Sequence, residues 1–361
     1  MAFVPRLAMI GTLAGVSVLV PFARGGIEPG RQALAVAQIA TTDTTSMSNA
    51  TSSLPTPNAT STTTPTATST PTTTATASTT TTTPPAVQAI NDPSLAPVCG
   101  PVPGVVPGGA GCRIIAFYGT PLSTRMGVLG QTPKDQMLAA LARTTQVWQA
   151  ADPSTPTKCA LELIAIVAQA SPGKGKLHRT RTSVARIDEV LGWAREARCL
   201  LILDVQVGWS SVPDELPFLR RWLNEPDVHL ALDPEWDMDP GVTPGSRIGR
   251  MSAEHIQFGI DYVAGIVRTN NLPPKLVIVH RFRDYMVQNP ATIVPKPEVR
   301  LLVNADGFGP PASKMVTYRI AQASMPTTLT GFKLFFKNDK PMLQPADVLP
   351  LLPVPVFINY Q

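Results

Sequence analysis

The densest acidic cluster in the chain is Asp233-Pro-Glu235-Trp-Asp237, with Asp239 close behind. Carboxylates crowded into one cleft raise one another's pKa, because like charges resist joint ionisation. A neutral acid and an ionised base can then coexist near pH 7. Hydrolysis of a glycosidic bond requires such a pair. A second carboxylate suited to this work is Asp306, in Asp306-Gly-Phe-Gly-Pro-Pro311. Each candidate also has a plainer reading. Glu235 could serve a structural hydrogen bond or a rim ion pair. Asp306 could be a turn residue before Gly307. Asp204 could be a satisfied interior carboxylate, and so could Glu162.

The elements that must position these groups are eight short runs of branched apolar residues. They are Arg113–Tyr118, Ala160–Ala165, Leu201–Gln206, His229–Asp233, Leu276–His280, Leu301–Asn304, Phe332–Phe336 and Val356–Asn359. Stretches of helical periodicity lie between most of them. Thr132-Pro133 opens the first helix, Thr182 caps the second and Ser252 the fourth. The fifth, near Asn289 to Val294, has the look of a turn. Eight β/α units predict an α/β chain folded as a (β/α)8 TIM barrel, with no helix after the last strand. Such a barrel places its chemistry at the C-terminal ends of its strands.

Barrel strands are covered by helices on their outer side, so the apolar alternate residues face out. The polar alternates then face in. On this basis Asp204, Gln206, Asp233, Glu235 and Asp306 meet at the mouth. Tyr118, His280 and Lys337 stand at the tops of strands one, five and seven. Glu162 lies lower. We expect Glu235 to act as general acid, Asp306 as nucleophile or base, and Asp233 to orient or tune Glu235. Tyr118, Asp204, Gln206, His280 and Lys337 would hold sugar hydroxyls. Trp209, Trp236 and Phe308 could stack on sugar rings.

The Asp233-Pro-Glu235 placement resembles that of glycoside hydrolases built on (β/α)8 barrels. Chitinase-like enzymes end strand four in Asp-x-Glu, although their longer acidic motif is missing here. Barrel glycosidases that use a Glu after strand seven are not matched, since Phe335-Phe-Lys337 contains none. The barrel as a whole also resembles a group of exported bacterial proteins. The shared features are Tyr118-Gly-Thr-Pro-Leu122, Leu161-Glu-Leu-Ile-Ala165, Leu232-Asp-Pro-Glu-Trp-Asp-Met238, Asp306-Gly-Phe-Gly-Pro-Pro311 and the final Tyr360-Gln361. That resemblance implies the barrel and export, and no activity. Three further readings stand beside the glycosidase. One is a non-catalytic carbohydrate-binding or scaffold barrel. One is a metal-dependent hydrolase with His280, Asp233, Asp204 and Asp306 as ligands; no His-x-His pair supports it, so no metal or other cofactor is expected. A nucleophilic Ser or Cys enzyme lacks its elbow motif.

The first third of the chain has a different character. Residues 1–37 carry Arg6 and an apolar run, and read as a signal peptide or an uncleaved anchor. Residues 38–97 are rich in Thr, Ser and Pro and are expected to form a disordered linker. The barrel is assigned to residues 98–361. Its four cysteines, in an exported chain, predict Cys99–Cys112 and Cys159–Cys199 disulfides. The net charge of +5 is modest. The basic run Lys174 to Arg181 reads as a solvated loop, or as a contact for an anionic cell-wall polymer. Aromatics interleaved with basic residues, as nucleic acid requires, are missing. Neither nucleic acid nor a membrane, other than through the N-terminal segment, is expected as a partner. The expected partner is a carbohydrate or cell-wall polymer met outside the cell.

Overall fold

The computed structural model describes residues 111–327 and 329–361. The expected leader, the linker and Cys99 lie outside the described residues. The eight barrel strands are β1 (Arg113–Gly119), β2 (Thr157–Ala168), β3 (Leu200–Val205) and β4 (Val228–Leu232), then β5 (Lys275–Arg281), β6 (Val299–Ala305), β7 (Leu329–Leu334) and β8 (Phe357–Tyr360). Each pairs in parallel with the next, and β8 pairs in parallel with β1. The sheet is therefore closed, and the fold is the (β/α)8 barrel that the periodicity predicts.

The helices are α1 (Lys134–Ala151), α2 (Val184–Glu196), α3 (Val212–Leu223), α4 (Ala253–Asn270), α5 (Pro311–Gln322) and α6 (Pro345–Val348). The β5–β6 connection holds short 3-10 turns, including Pro290–Thr292, and a two-residue strand Val287–Gln288 paired with Met251–Ser252. Apolar residues separate into two layers. Outward strand residues such as Phe117, Leu203, Leu230 and Val279 pack with Met137, Trp148, Ile187 and Ile260 of the helices. Inward residues such as Ile114, Ile202, Ile278 and Phe357 fill the lower half of the barrel.

Several local expectations are displaced by one or more residues. Ser183, not Thr182, caps α2 and accepts the Arg186 amide. The Thr182 hydroxyl instead donates to Ile164 O at 2.9 Å, tying the loop to β2. Pro133 sits at the N-cap of α1, one place before the expected N1 position. The seventh strand starts at Leu329, three residues earlier than the apolar run Phe332–Phe336 suggests. Gly331 explains why that part of the strand is easily missed. A Cβ there would meet Asn304 Oδ1 at 2.5 Å, so this strand interior takes a residue of low β-propensity.

The Cys159–Cys199 disulfide is present, with a Cα–Cα separation of 4.7 Å. It joins the lower ends of β2 and β3, far from the mouth. The basic run is not simply solvated. Lys174 and Lys176 are exposed, but Arg179 and Arg181 reach the two oxygens of Glu215 at 2.6 and 2.7 Å. Glu215 is fully buried on α3. The two arginines offset the cost of burying that carboxylate, so half of the run is structural.

Candidate active site at the mouth of the barrel

A cavity of about 380 Å³ opens at the C-terminal ends of the strands. Tyr118, Gln206, Asp233, Glu235, Asp306 and Lys337 all line it, so six of the expected polar site residues share one space. Trp236 and Phe308 line it as well, and give it two aromatic faces. One wall is the loop after β1. There Gly119 and Gly127 approach across a bridge, with φ of 141° and 87°. A Cβ on Gly127 would lie 2.3 Å from Tyr118 O, so only glycine allows this loop to close beside the site.

Alternation places the acidic residues as expected. Asp233 follows β4, and its Oδ1 accepts the Glu235 amide at 3.2 Å. That bond caps the single 3-10 turn Pro234–Trp236, which swings Glu235 into the cavity. Glu235 is only half-buried, yet protein atoms surround its carboxyl. Desolvation, then the neighbouring Asp233 and Asp306, raise its pKa well above the usual range. Asp233 is raised to about 6, chiefly by burial.

Asp306 behaves in the opposite sense. Burial pushes its pKa up, but Lys333 and His280 outweigh this and hold the carboxyl below its ordinary value. Lys333 Nζ and His280 Nδ1 both lie 3.0 Å from Asp306 Oδ2. Oδ1 is therefore the oxygen that neither cation engages. Lys333 Nζ also sits 3.8 Å from the centre of the Tyr118 ring, a cation–π contact.

Lys333 is the main residue that the sequence reading missed. The position expected to serve was Lys337. Lys337 is exposed and reaches only the cavity rim, because β7 ends at Leu334. Lys333 lies between the buried, outward Phe332 and Leu334, so strict alternation points to it. Asn359 on β8 has the same signature, between Ile358 and Tyr360. It donates to Glu162 Oε2.

Asp204 and His280, expected to touch substrate, sit below the cavity with no exposed surface. The Tyr118 hydroxyl donates to Asp204 Oδ2 at 3.1 Å and accepts from Gln206 Nε2 at 3.1 Å. His280 Nε2 lies 2.8 Å from Glu162 Oε1. Burial pushes His280 down, but Glu162 and Asp306 override it and raise the imidazole well above its usual value. Glu162 is thus an interior partner of His280, in keeping with its lower placement.

Trp209 does not line the cavity. Its ring packs on His178 with centroids 4.0 Å apart, and its Nε1 donates to Val242 O at 2.7 Å. The loop after β3 turns it away from the mouth. Asp237 and Asp239 also face elsewhere, into a second cavity shared with Arg247, Arg250 and Tyr285. Among the described residues, no helix is long and apolar enough to cross a membrane.

No family of known proteins matches the chain, and no curated protein sequence matches it either. The fold and the site geometry define the class: a (β/α)8 barrel with a carboxylate-rich cavity at the C-terminal ends of its strands.

Proposed function

We propose that the barrel is an exported glycoside hydrolase acting on a polysaccharide outside the cell. Glu235 protonates the glycosidic oxygen. Asp306, ionised, attacks the sugar or activates water through Oδ1. Asp233 orients Glu235, and Lys333 keeps Asp306 charged. Tyr118, Gln206 and Lys337 offer polar contacts to hydroxyls, and Trp236 and Phe308 offer stacking faces. The single observation that carries this reading is one cavity holding a desolvated carboxyl and a cation-paired carboxyl beside two aromatic rings. Acid and base of contrasting environment are what the reaction needs. The disulfide is compatible with an extracellular location.

The test is a screen of cell-wall and other glycans with the full chain, beside Glu235→Gln and Asp306→Asn. Cleavage by the native chain, lost in both variants, supports the assignment. Cleavage that survives both removes it. Glycan binding without turnover, unchanged in Glu235→Gln, replaces the enzyme by a carbohydrate-binding barrel. The anomer first released tells whether Asp306 is nucleophile or base, since retention needs a covalent intermediate.

A further inference from the structure

Below the cavity three metal-ligand side chains converge, and the sugar chemistry uses none of them as a reactant. One carboxylate oxygen from Glu162, one from Asp204 and a ring nitrogen of His280 lie within 4.8 Å of one another. All three residues have no exposed surface. They stand on β2, β3 and β5, so the closed sheet fixes their spacing.

A second observation concerns Asp204 alone. Its Oδ1 is buried and makes no hydrogen bond within the protein. An unmet buried acceptor is costly, and more so when charged. Its other oxygen is already used by the Tyr118 hydroxyl.

Each of the three residues also has an outer partner. Tyr118 holds Asp204 Oδ2, Asn359 holds Glu162 Oε2, and Asp306 Oδ2 lies 3.0 Å from His280 Nδ1. These contacts leave Asp204 Oδ1 without a hydrogen bond, and Glu162 Oε1 and His280 Nε2 paired with each other. A histidine whose second nitrogen is held by a carboxylate is the usual arrangement in a metal centre. The 2.8 Å between His280 Nε2 and Glu162 Oε1 also suits two neighbouring ligands of one ion. Ligands about 2.1 Å from an ion, at right angles, stand about 3 Å apart.

We propose that Glu162, Asp204 and His280 form a site for one divalent first-row transition ion, of which Mn²⁺ and Zn²⁺ are the probes. Two carboxylates and one imidazole suit such an ion, whereas Ca²⁺ takes six to eight oxygens. The two carboxylates would balance its charge. Bound there, it ties together Tyr118 and Asp306, which line the cavity above. The proposal does not depend on the sugar reading. Its rival is a proton on His280 bridging Glu162 and Asp306, with a buried water on Asp204.

The experiment uses tag-free full chain, treated with chelator and incubated for hours with MnCl₂ or ZnCl₂ separately. After desalting, metal is counted by mass spectrometry. We expect about one ion per chain with at least one of the two metals. Asp204→Asn keeps shape and the Tyr118 contact, and should retain at least tenfold less. Tyr118→Phe removes the outer hydrogen bond to Asp204, together with the one received from Gln206, and should weaken affinity about tenfold or more. Circular dichroism checks that each variant is folded. A native chain that retains no metal overturns the proposal, whatever the variants do. Equal retention by native chain and folded Asp204→Asn overturns it too.

Discussion

The lower and upper halves of the barrel interior are built on the same eight strands and differ in almost everything else. Below, Ile114, Ala116, Ile202, Ile278, Leu302 and Phe357 fill the space with apolar contacts. Above, Tyr118, Glu162, Asp204, His280, Asp306 and Lys333 are equally buried, but each depends on named polar partners. Burial stabilises the lower half outright. In the upper half the same desolvation raises the cost of every charge and must be offset by an ion pair or a hydrogen bond. The barrel concentrates that cost at the end where substrate can enter.

Two carboxylates make the contrast measurable. Asp152, near the lower end, accepts from Ser154 at 2.6 Å and from Arg113 at 3.1 Å. The Ser154 hydrogen bond, with smaller help from Arg113, holds it down at about 2. Its contribution to stability is present above about pH 4 and lost as pH falls through 2. Asp233, at the mouth, is pushed up to about 6 by burial. Its contribution is whole below about pH 4 and lost as pH rises through 6.

The largest effect expected is on the chemistry alone. Glu235→Gln should lower turnover by about 10²–10⁴-fold, the usual worth of a positioned acid. Chemical denaturation of the same variant should show a loss of stability of no more than about 1 kcal/mol, since half-buried Glu235 lies outside the packed core and the neutral amide escapes the cost of desolvating a carboxylate. Large destabilisation would mean that Glu235 is structural and would erase the division between the halves.

The lower half should give the reverse pattern. Phe357→Ala is expected to cost about 3–5 kcal/mol in urea unfolding, as a fully buried aromatic removed from a tight core. The pH dependence of turnover should keep its limbs in any fraction that stays folded. A shifted acid limb would show that core packing tunes the carboxylates.

Replacing Cys159 and Cys199 together by Ser should cost about 2–4 kcal/mol, because the bond closes a loop with a sequence separation of 40. Thermal melts of the native chain and the double variant read the difference. Turnover at low temperature should not change, because the bond lies at the far end of the strands.

The smallest effect is a pH-dependent one. Asp233→Asn keeps an acceptor for the Glu235 amide but removes the carboxyl that titrates near 6. Raising a carboxyl from about 4 to about 6 corresponds to about 3 kcal/mol at most. The variant's stability relative to the native chain should therefore be greater by up to that much at pH 7 than at pH 4, read from urea midpoints of both chains at the two values. A difference between variant and native chain that stays constant from pH 4 to pH 7 would show that Asp233 is not raised.

Much of the site was legible because alternation is local. Asp204, Gln206, Asp233 and Asp306 each follow from the apolar residues beside them, and all four face the interior or the mouth. Lys333 and Asn359 carry the same signal. Neither stands out in the sequence, because Gly331 interrupts the β pattern of β7 and β8 is only 4 residues long. Trp209 and Trp236 show where local alternation stops deciding. Both follow a strand, yet one packs on His178 and the other lines the cavity. Only the path of each loop separates them.

The sequence by itself determined the number of strands, the helices that cover them, the disulfide and the end of the barrel that carries the acids. Those features depend on periodicity and spacing over a few dozen residues. The tertiary structure alone decided which charges meet. Asn359 reaches Glu162 across a sequence separation of 197, and His280 reaches it across 118. Such contacts depend on the stagger between strands when the sheet closes. No local pattern encodes that stagger, because it comes from packing eight strands around a common interior at once.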